Sequence, residues 1–301
     1  MEAPSNPQDA LSNLELQRSL TTFNARRFSP ALPDGDWRED LRQYVDMARL
    51  EGEYLDRERE GVRLRAAEAP LEARAFGQWF DDLKRTGPGQ HDVLFPWLAE
   101  TASMDDMKWF LTQEVAGEAG FEDLTALTQV KLPVRPKLEL ARNYWDEMGR
   151  GKSKGMHGPL LETLAHRLGL KPDVETTVWE SLALANTMAG LAANRRFAYH
   201  SVGALGVIEM TAPDRAAAVA AGLKRLGVPT GDRHYFDLHS ILDVKHSLAW
   251  NAEAIYPLVE SEPRVATAIA EGALMRLEAG RRCFERYRKE LALRRGSRGL
   301  R

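Results

Sequence analysis

The sequence predicts an all-α protein built around a single main domain. Helical periodicity runs through almost every segment after Asp36, convincing alternating runs of Val, Ile and Thr are missing, and no Asn-Gly or Asp-Gly turn joins two such runs. Apolar residues make up 44% of the 301 residues and charged residues 28%, which is ordinary for a folded chain. No internal repeat and no Ser/Gly-rich linker separates the helices, so we expect one helical unit.

The predicted elements are bounded mainly by Pro and Gly residues. Residues 1–35 are rich in Ser, Asn, Pro and Asp, which predicts a partly disordered N-terminal arm. Residues 36–295 form the predicted helical domain, and residues 296–301 form a basic, frayed tail. Within the domain, the predicted helices cover residues 36–60, 71–84, 91–117, 138–148, 160–168, 175–193, 195–210, 214–227, 232–254 and 263–293.

Charge and composition exclude several classes of protein. Lys and Arg number 41 and Asp and Glu 44, for a net charge of -3, whereas a general nucleic-acid binder carries a basic domain. No apolar stretch is long enough to predict a membrane span, and the N-terminus does not resemble a secretory signal, so we expect a cytoplasmic protein. The single cysteine, Cys283, rules out an internal disulfide and a zinc–thiolate cluster.

The segment HYFDLHSILDVKHSLAW carries the strongest chemical signal. His239, Asp243 and His246 emerge at about 0, 40 and -20° of helix rotation, so they share one narrow stripe. Apolar neighbours indicate that this helix is buried, and buried polar side chains need partners. Two imidazoles and a carboxylate without cysteine suit iron or manganese better than zinc. A buried polar network without metal is the alternative.

Such a centre needs further ligands from other helices. Glu209 follows eight apolar or small residues in SVGALGVIEMTAP, where an unpaired charge is rare. Glu147 precedes His157 by ten residues, and the glycines between them allow the chain to turn and bring the two together. Asp146 is the adjacent alternative to Glu147.

A further carboxylate is predicted on the helix that contains Trp109 and Phe110. Glu114 and Glu118 are four residues apart there, about one turn, and either could face the centre. We take Glu114 as the ligand and keep Glu118 as the alternative.

Taken together, these residues resemble the ligand pattern of the haem-oxygenase-like di-iron oxidases and oxygenases, also described as iron-containing redox enzymes. That pattern has a Glu on a first core helix, a Glu and then a His on the second, a carboxylate on the third, and His-xxx-Asp-xx-His on the last. The resemblance covers roughly residues 90–290. In this sequence the pattern is matched, in order, by Glu114, Glu147, His157, Glu209, His239, Asp243 and His246.

The resemblance implies a seven-helix haem-oxygenase-like bundle, here with extra N-terminal helices, that binds two Fe(II) per chain and no haem. It implies O2 as co-substrate, a peroxo di-iron(III) intermediate and catalytic roles for Glu114, Glu147 and Glu209. The expected reaction is N-oxygenation of an amino group of a small metabolite or amino acid. C–C cleavage or desaturation of an amino or fatty acid is the alternative. No flavin or ferredoxin motif is present, so the electrons would come from an external donor.

Substrate contacts are predicted next to the metals. The candidates are Tyr144, Arg195, Arg196 and Tyr199, of which an arginine could bind a substrate carboxylate through two hydrogen bonds. The last helix is amphipathic and could serve a homodimer face as well as its own core. A non-enzymatic helical binding module remains an alternative function, and a true haem oxygenase ranks last because His91 is the only histidine before His157.

Overall fold

The structure, a computed structural model, describes the backbone of residues 7–298 and the side chains of residues 13–292. Helices account for most of this range, and no strand occurs in it, which confirms the predicted all-α class. The α-helices of the described residues are Pro7–Phe28 (α1), Trp37–Ala66 (α2), Ala73–Thr86 (α3), Leu94–Glu100 (α4), Met104–Ala116 (α5), Phe121–Thr128 (α6), Val134–Glu147 (α7), His157–Leu168 (α8), Trp179–Ala193 (α9), Ala198–Arg225 (α10), His234–Trp250 (α11), Tyr256–Ser261 (α12) and Val265–Arg298 (α13).

The N-terminal segment differs from the predicted arm. Residues 7–28 form α1, whose Leu20 and Phe23 are buried. The Asn24 side chain donates a hydrogen bond of 2.8 Å to Oδ1 of Asn186 on α9. The polar composition of this segment concealed an apolar face that packs on the domain. Residues 1–6 lie outside the described residues, as do residues 299–301 of the predicted basic tail, whose first residues continue α13 to Arg298.

Several helix boundaries also differ from the predicted ones. The predicted helix 91–117 is two helices, because Ser103 and Asp106 form a capping box that starts α5. The short helices α6 and α12 were not predicted. Conversely, α10 continues through Pro213, where the sequence predicted a break. Because a proline has no N–H, the carbonyl of Glu209 lacks its usual helical partner at this point.

The centre of the fold is the crossing of α10 and α13, which pack backbone to backbone. A Cβ atom added to Gly203 would lie 1.9 Å from the carbonyl oxygen of Ile269, and one added to Gly272 would lie 1.9 Å from that of His200. Only glycine permits so close an approach. The glycines therefore fix the position of α10, the helix that carries Glu209.

A second contact fixes α11 against the same helix. Trp250, fully buried at the end of α11, donates a hydrogen bond of 3.1 Å from Nε1 to the Val202 carbonyl. Its indole ring lies against Gly206, where an added Cβ would come within 2.7 Å of the ring. The π-helical segment Asn251–Ile255 then leads into α12. This anchoring holds the histidine stripe of α11 beside Glu209. No helix among the described residues is both long and apolar enough to cross a membrane.

Candidate metal centre

Two groups of potential metal ligands meet at one carboxylate. Glu147, His157 and His239 offer ligand atoms that all lie within 4.8 Å of one another, and so do Glu147, Glu209 and His246. Glu147 belongs to both triads and is buried, as are three of the other four residues. One carboxylate shared by two triads is the arrangement expected of a two-metal centre.

A glycine-rich loop brings His157 back to Glu147. After α7 ends, Gly149 and Gly151 adopt positive φ angles of 59° and 78°, and a single antiparallel bridge joins Met148 to Met156. A Cβ at Gly149 would lie 2.4 Å from the carbonyl carbon of Gly155, so the two arms of the loop touch.

The closed loop places the two ligands side by side. Nδ1 of His157, at the start of α8, lies 2.6 Å from Oε2 of Glu147. The chain reversal predicted from the glycine spacing is therefore present.

The α11 stripe supplies the opposite side of the centre. Nδ1 of His239 donates a hydrogen bond of 2.8 Å to the Tyr235 carbonyl, which leaves Nε2 as the lone-pair nitrogen, 3.1 Å from Nδ1 of His157. Nε2 of His246 lies 3.1 Å from Oδ2 of Asp146, and its Nδ1 lies 3.4 Å from Oε2 of Glu209. In both histidines one nitrogen is held by the protein and the other faces the centre, as in metal-ligating histidines.

Three buried polar atoms of the centre lack a hydrogen-bond partner among the described residues. They are Oε2 of Glu209, Oδ1 of Asp243 and Nδ1 of His246, and the first and last of these face each other at 3.4 Å. The other oxygen of Glu209 accepts a hydrogen bond of 2.5 Å from Nδ2 of Asn143, which orients the carboxylate. Buried polar atoms are normally paired, so these donor atoms fit a cation at this place.

The electrostatics of the side chains also favour a cation. Burial and then the charge of Glu209 raise the pKa of Glu147 and of Asp243 well above the usual range. Burial lowers the pKa of His157 and of His239 to about 4, so both imidazoles are neutral at pH 7 and free to act as ligands. Clustered carboxylates that resist ionisation become stable when metal ions balance their charge.

His246 behaves differently from the other two histidines. Burial opposes its positive charge, but the carboxylates of Glu209 and Asp146 outweigh that effect and raise its pKa to about 9. Asp146, the alternative ligand in the sequence analysis, contacts Nε2 of His246, the ring nitrogen that does not face Glu209. Asp146 also pairs with Arg150 at 2.6 Å.

The structure does not bring the predicted first-helix carboxylate into either triad. Glu114 accepts a hydrogen bond of 3.0 Å from the Tyr287 hydroxyl on α13, and the reserve residue Glu118 accepts one of 3.1 Å from the Gly120 amide. Both carboxylates nevertheless line the cavity that adjoins Glu147 and Glu209, and the charge of Glu147 contributes to the raised pKa of Glu118.

Glu122, in the first turn of α6, is the carboxylate that the sequence reasoning missed. Its Oε1 would lie 3.0 Å from a Cβ added to Gly158, the residue next to His157. Its charge acts on Glu147 and His157. The sequence signal for the start of this helix is Gly120, which is followed by the acidic residues Glu122 and Asp123. In the structure Gly120 has a positive φ angle.

A cavity of about 170 Å³ adjoins the centre. Glu147, Glu209, His239 and Asp243 form part of its wall, so the cavity gives access to both triads. Most of the remaining lining is apolar, including Phe110, Leu124, Leu184, Met188, Ile208 and Phe236.

The four predicted substrate contacts do not line this cavity. Arg195 donates instead to the carbonyls of Leu127, Thr128 and Val130, at the end of α6 and just after it. Arg196 pairs with Asp56 at 3.6 Å on the surface.

The two predicted aromatic contacts also lie elsewhere. Tyr199 is 37% exposed, and Tyr144 is half-buried on α7 outside the cavity wall.

Comparison with known proteins now identifies the family. A family model described as iron-containing redox enzyme matches residues 108–281, more than half of the chain. The chain belongs to this family. The match includes Glu147, Glu209 and the whole α11 stripe.

The fold comparison agrees with the family. The crystal structure of a CADD-like protein of unknown function from Nostoc punctiforme superposes with a TM-score of 0.55. The match has 18% sequence identity and covers 71% of this chain and 96% of that chain. A search of curated proteins found no significant match. The chain is therefore an all-α, haem-oxygenase-like member of the iron-containing redox enzymes.

Proposed function

We propose that this protein is a non-haem di-iron oxygenase that uses O2 to oxidise an amino group of a small metabolite or amino acid. The observation that carries the proposal is the position of Glu147, whose carboxylate is common to two triads of ligand atoms. One iron would be held by Glu147, His157 and His239, and the other by Glu147, Glu209 and His246. Asp243 lies beside them in the cavity wall.

The donor set supports iron as the metal. Carboxylates and neutral imidazoles without thiolate suit Fe(II), and bound Fe(II) supplies the electrons that begin the reduction of O2. Insertion of one oxygen atom of O2 into an N–H bond, with release of the other as water, consumes two electrons and two protons from outside the substrate. The Fe(II) pair would deliver these two electrons, and we propose that an external donor restores them after each turnover.

Several side chains prepare the centre for this chemistry. Tyr235 and Asp146 fix the orientation of His239 and His246, so the ligand nitrogens are directed inward before metal binds. Asn143 donates a hydrogen bond to Oε1 of Glu209, and Oε2 of the same carboxylate faces Nδ1 of His246. The apolar cavity wall excludes water from the reacting groups.

Metal stoichiometry tests the shared carboxylate. We would titrate Fe(II) anaerobically into the full chain and into single alanine variants of Glu147, His239 and His246. The expected result is two irons in the wild type, about one in each histidine variant and loss of both in Glu147→Ala. His234→Ala is a matched control, because His234 lies on the same helix but is exposed. Full two-iron occupancy in His246→Ala would remove the α11 stripe from the centre.

A second experiment tests the reaction. The Fe(II)-loaded chain would be mixed with O2 in a stopped-flow instrument, with and without a panel of amines and amino acids. We expect a transient visible absorption band whose lifetime is shortened by a substrate, and a product that has gained oxygen. A product that loses a fragment or hydrogen atoms instead would favour C–C cleavage or desaturation. No O2 consumption with any member of the panel would contradict the oxygenase proposal.

A further inference from the structure

Two arginines line the cavity without a carboxylate partner. Arg215 on α10 and Arg276 on α13 both form part of its wall. Among the described side chains neither guanidinium lies within ion-pair distance of a carboxylate, although other half-buried arginines of the chain do, such as Arg27 and Arg282. Charged side chains away from solvent are normally paired.

The hydrogen bonds of these arginines leave capacity for a ligand. Nη2 of Arg215 donates 3.1 Å to Oγ1 of Thr211, and its guanidinium lies 5.5 Å from the centre of the Phe284 ring. Nε of Arg276 is buried with no hydrogen-bond partner. A guanidinium has five N–H donors, and the one protein hydrogen bond described for this pair is that of Arg215 to Thr211, so the pair has donors to offer a ligand.

Arg215 and Arg276 share this part of the cavity with two acids, Glu114 and Glu118. Burial, and then the charge of Arg276, lower the pKa of Arg215 to about 9, so it stays protonated at pH 7. Burial raises the pKa of Glu114, and raises that of Glu118 to about 7. Burial therefore disfavours the charged form of both acids, whereas Arg215 keeps its positive charge and can attract an anionic ligand.

The arginines and the metal ligands lie at different points along the same cavity. On α10, Glu209, Ala212, Arg215 and Val219 all face it. Six residues separate Glu209 from Arg215, which is roughly 9 Å along the helix. The wall between them is mostly apolar, and the volume of about 170 Å³ is that of a small molecule.

We propose that Arg215 and Arg276 bind the carboxylate of the substrate, a small organic acid with an apolar body. The other end of the substrate then lies at Glu147 and Asp243. This position of the reacting end rests on the proposed function, whereas the carboxylate site does not. An amino group that reaches Glu147 and Asp243 is consequently several bonds away from the carboxylate.

Ligand binding tests this assignment directly. We would titrate straight-chain carboxylates from butanoate to octanoate, each beside its neutral primary amide, into the full chain by calorimetry. Each titration would be made with the metal-free protein and, anaerobically, with the Fe(II)-loaded protein. In at least one state we expect the carboxylate to bind at least about tenfold more tightly than its amide. We expect that preference to be lost in Arg276→Gln and in Arg215→Gln.

A third arginine variant distinguishes a specific anion site from a general loss of positive charge. Arg196→Gln removes an arginine that is outside the cavity and should leave the preference unchanged. Circular dichroism shows whether each variant folds. If either Arg215→Gln or Arg276→Gln fails to fold, the other variant still tests the proposal.

The outcome is independent of the proposed redox activity. Loss of the preference with normal Fe(II) uptake supports the carboxylate site even if the chain consumes no O2. Equal binding of acids and amides, no binding of either in both states, or a preference that survives in both variants would overturn it, whatever the iron content.

Discussion

Oδ2 of Asp146 lies 3.1 Å from Nε2 of His246, while the next residue in the chain, Glu147, is common to both ligand triads. The last turn of α7 therefore supplies Glu147 as a potential metal ligand and Asp146 as the group that orients His246, one hundred residues later in the chain. Residues that would bind metal are thus distinct from residues that orient them, and substitutions in the two groups are expected to affect metal binding differently.

Replacing Asp146 should weaken one metal position without removing a ligand. In Asp146→Ala the His246 ring loses its hydrogen-bond partner, and Fe(II) affinity at that position should fall about 10- to 100-fold. The measurement is anaerobic Fe(II) titration against a competing chelator. Asp46→Ala, at an exposed position of α2, is the control and should bind as the wild type does. Unchanged affinity in Asp146→Ala would mean that His246 is held by its packing alone.

Glu122 should matter for metal binding more than Glu114 does. Glu122 acts on Glu147 and His157 through its charge, whereas Glu114 is hydrogen-bonded to Tyr287. We expect Glu122→Gln to reduce iron content or affinity at least about tenfold. Glu114→Gln should keep two irons. The reverse result in the same titration would restore Glu114 as the first-helix ligand.

The stability of the metal-free chain should fall as the pH rises from about 7 to about 9. The folded-state pKa values of Glu147, Asp243 and His246 lie above their unfolded values, the last at about 9. The folded chain therefore holds these protons longer than the unfolded chain, and the stabilisation is lost as the pH passes through the folded-state values. Thermal unfolding at several pH values measures the effect.

Bound metal should weaken this trend, because a cation then takes the place of the protons. With redox-inactive Mn(II) or Zn(II), the decrease in Tm between about pH 7 and about pH 9 should become smaller. His157 and His239 act on the acid side, since their lowered pKa values of about 4 destabilise the fold as the pH drops below about 6.5. If the Tm of the metal-free chain instead increased as the pH was raised from about 7 to about 9, the carboxylates would not repel one another in the folded state.

The contact between α10 and α13 gives a prediction about folding. Gly272→Ala places a methyl group against the His200 carbonyl, so the helices must separate, at a cost of about 3 kcal/mol or more. Gly52→Ala, within α2, meets nothing within 4 Å and should stabilise the chain by about 0.5–1 kcal/mol. Chemical denaturation measures both. Equal stability of Gly272→Ala and the wild type would be incompatible with the close helix packing.

The periodicity of single helices predicted much of the centre. His239, Asp243 and His246 share a stripe because the helical repeat fixes their direction, and this holds without knowledge of the rest of the fold. Glu209 was identifiable because a carboxylate within an apolar run needs a partner. The loop between Glu147 and His157 was predictable from its glycines, which permit the positive φ angles that the structure contains.

What could not be predicted depends on how the helices pack. Glu114 looks like a buried carboxylate in the sequence, and it is one, but its partner is Tyr287, which comes from the far end of the chain. Arg195 occurs near an apolar helix, yet its guanidinium serves the carbonyls of α6. Arg215 and Arg276 are separated by about sixty residues, so only the tertiary structure shows that they line the same cavity.

Pro213 interrupts the hydrogen bonding of α10 between Glu209 and Arg215. The same helix therefore carries a potential metal ligand before the proline and the proposed anion-binding arginine after it. If the two groups bind opposite ends of a substrate, their separation along α10 limits the length of molecule that fits. Substitutions in the turn at Pro213 are then expected to change the preferred substrate length while the residues at both ends are kept.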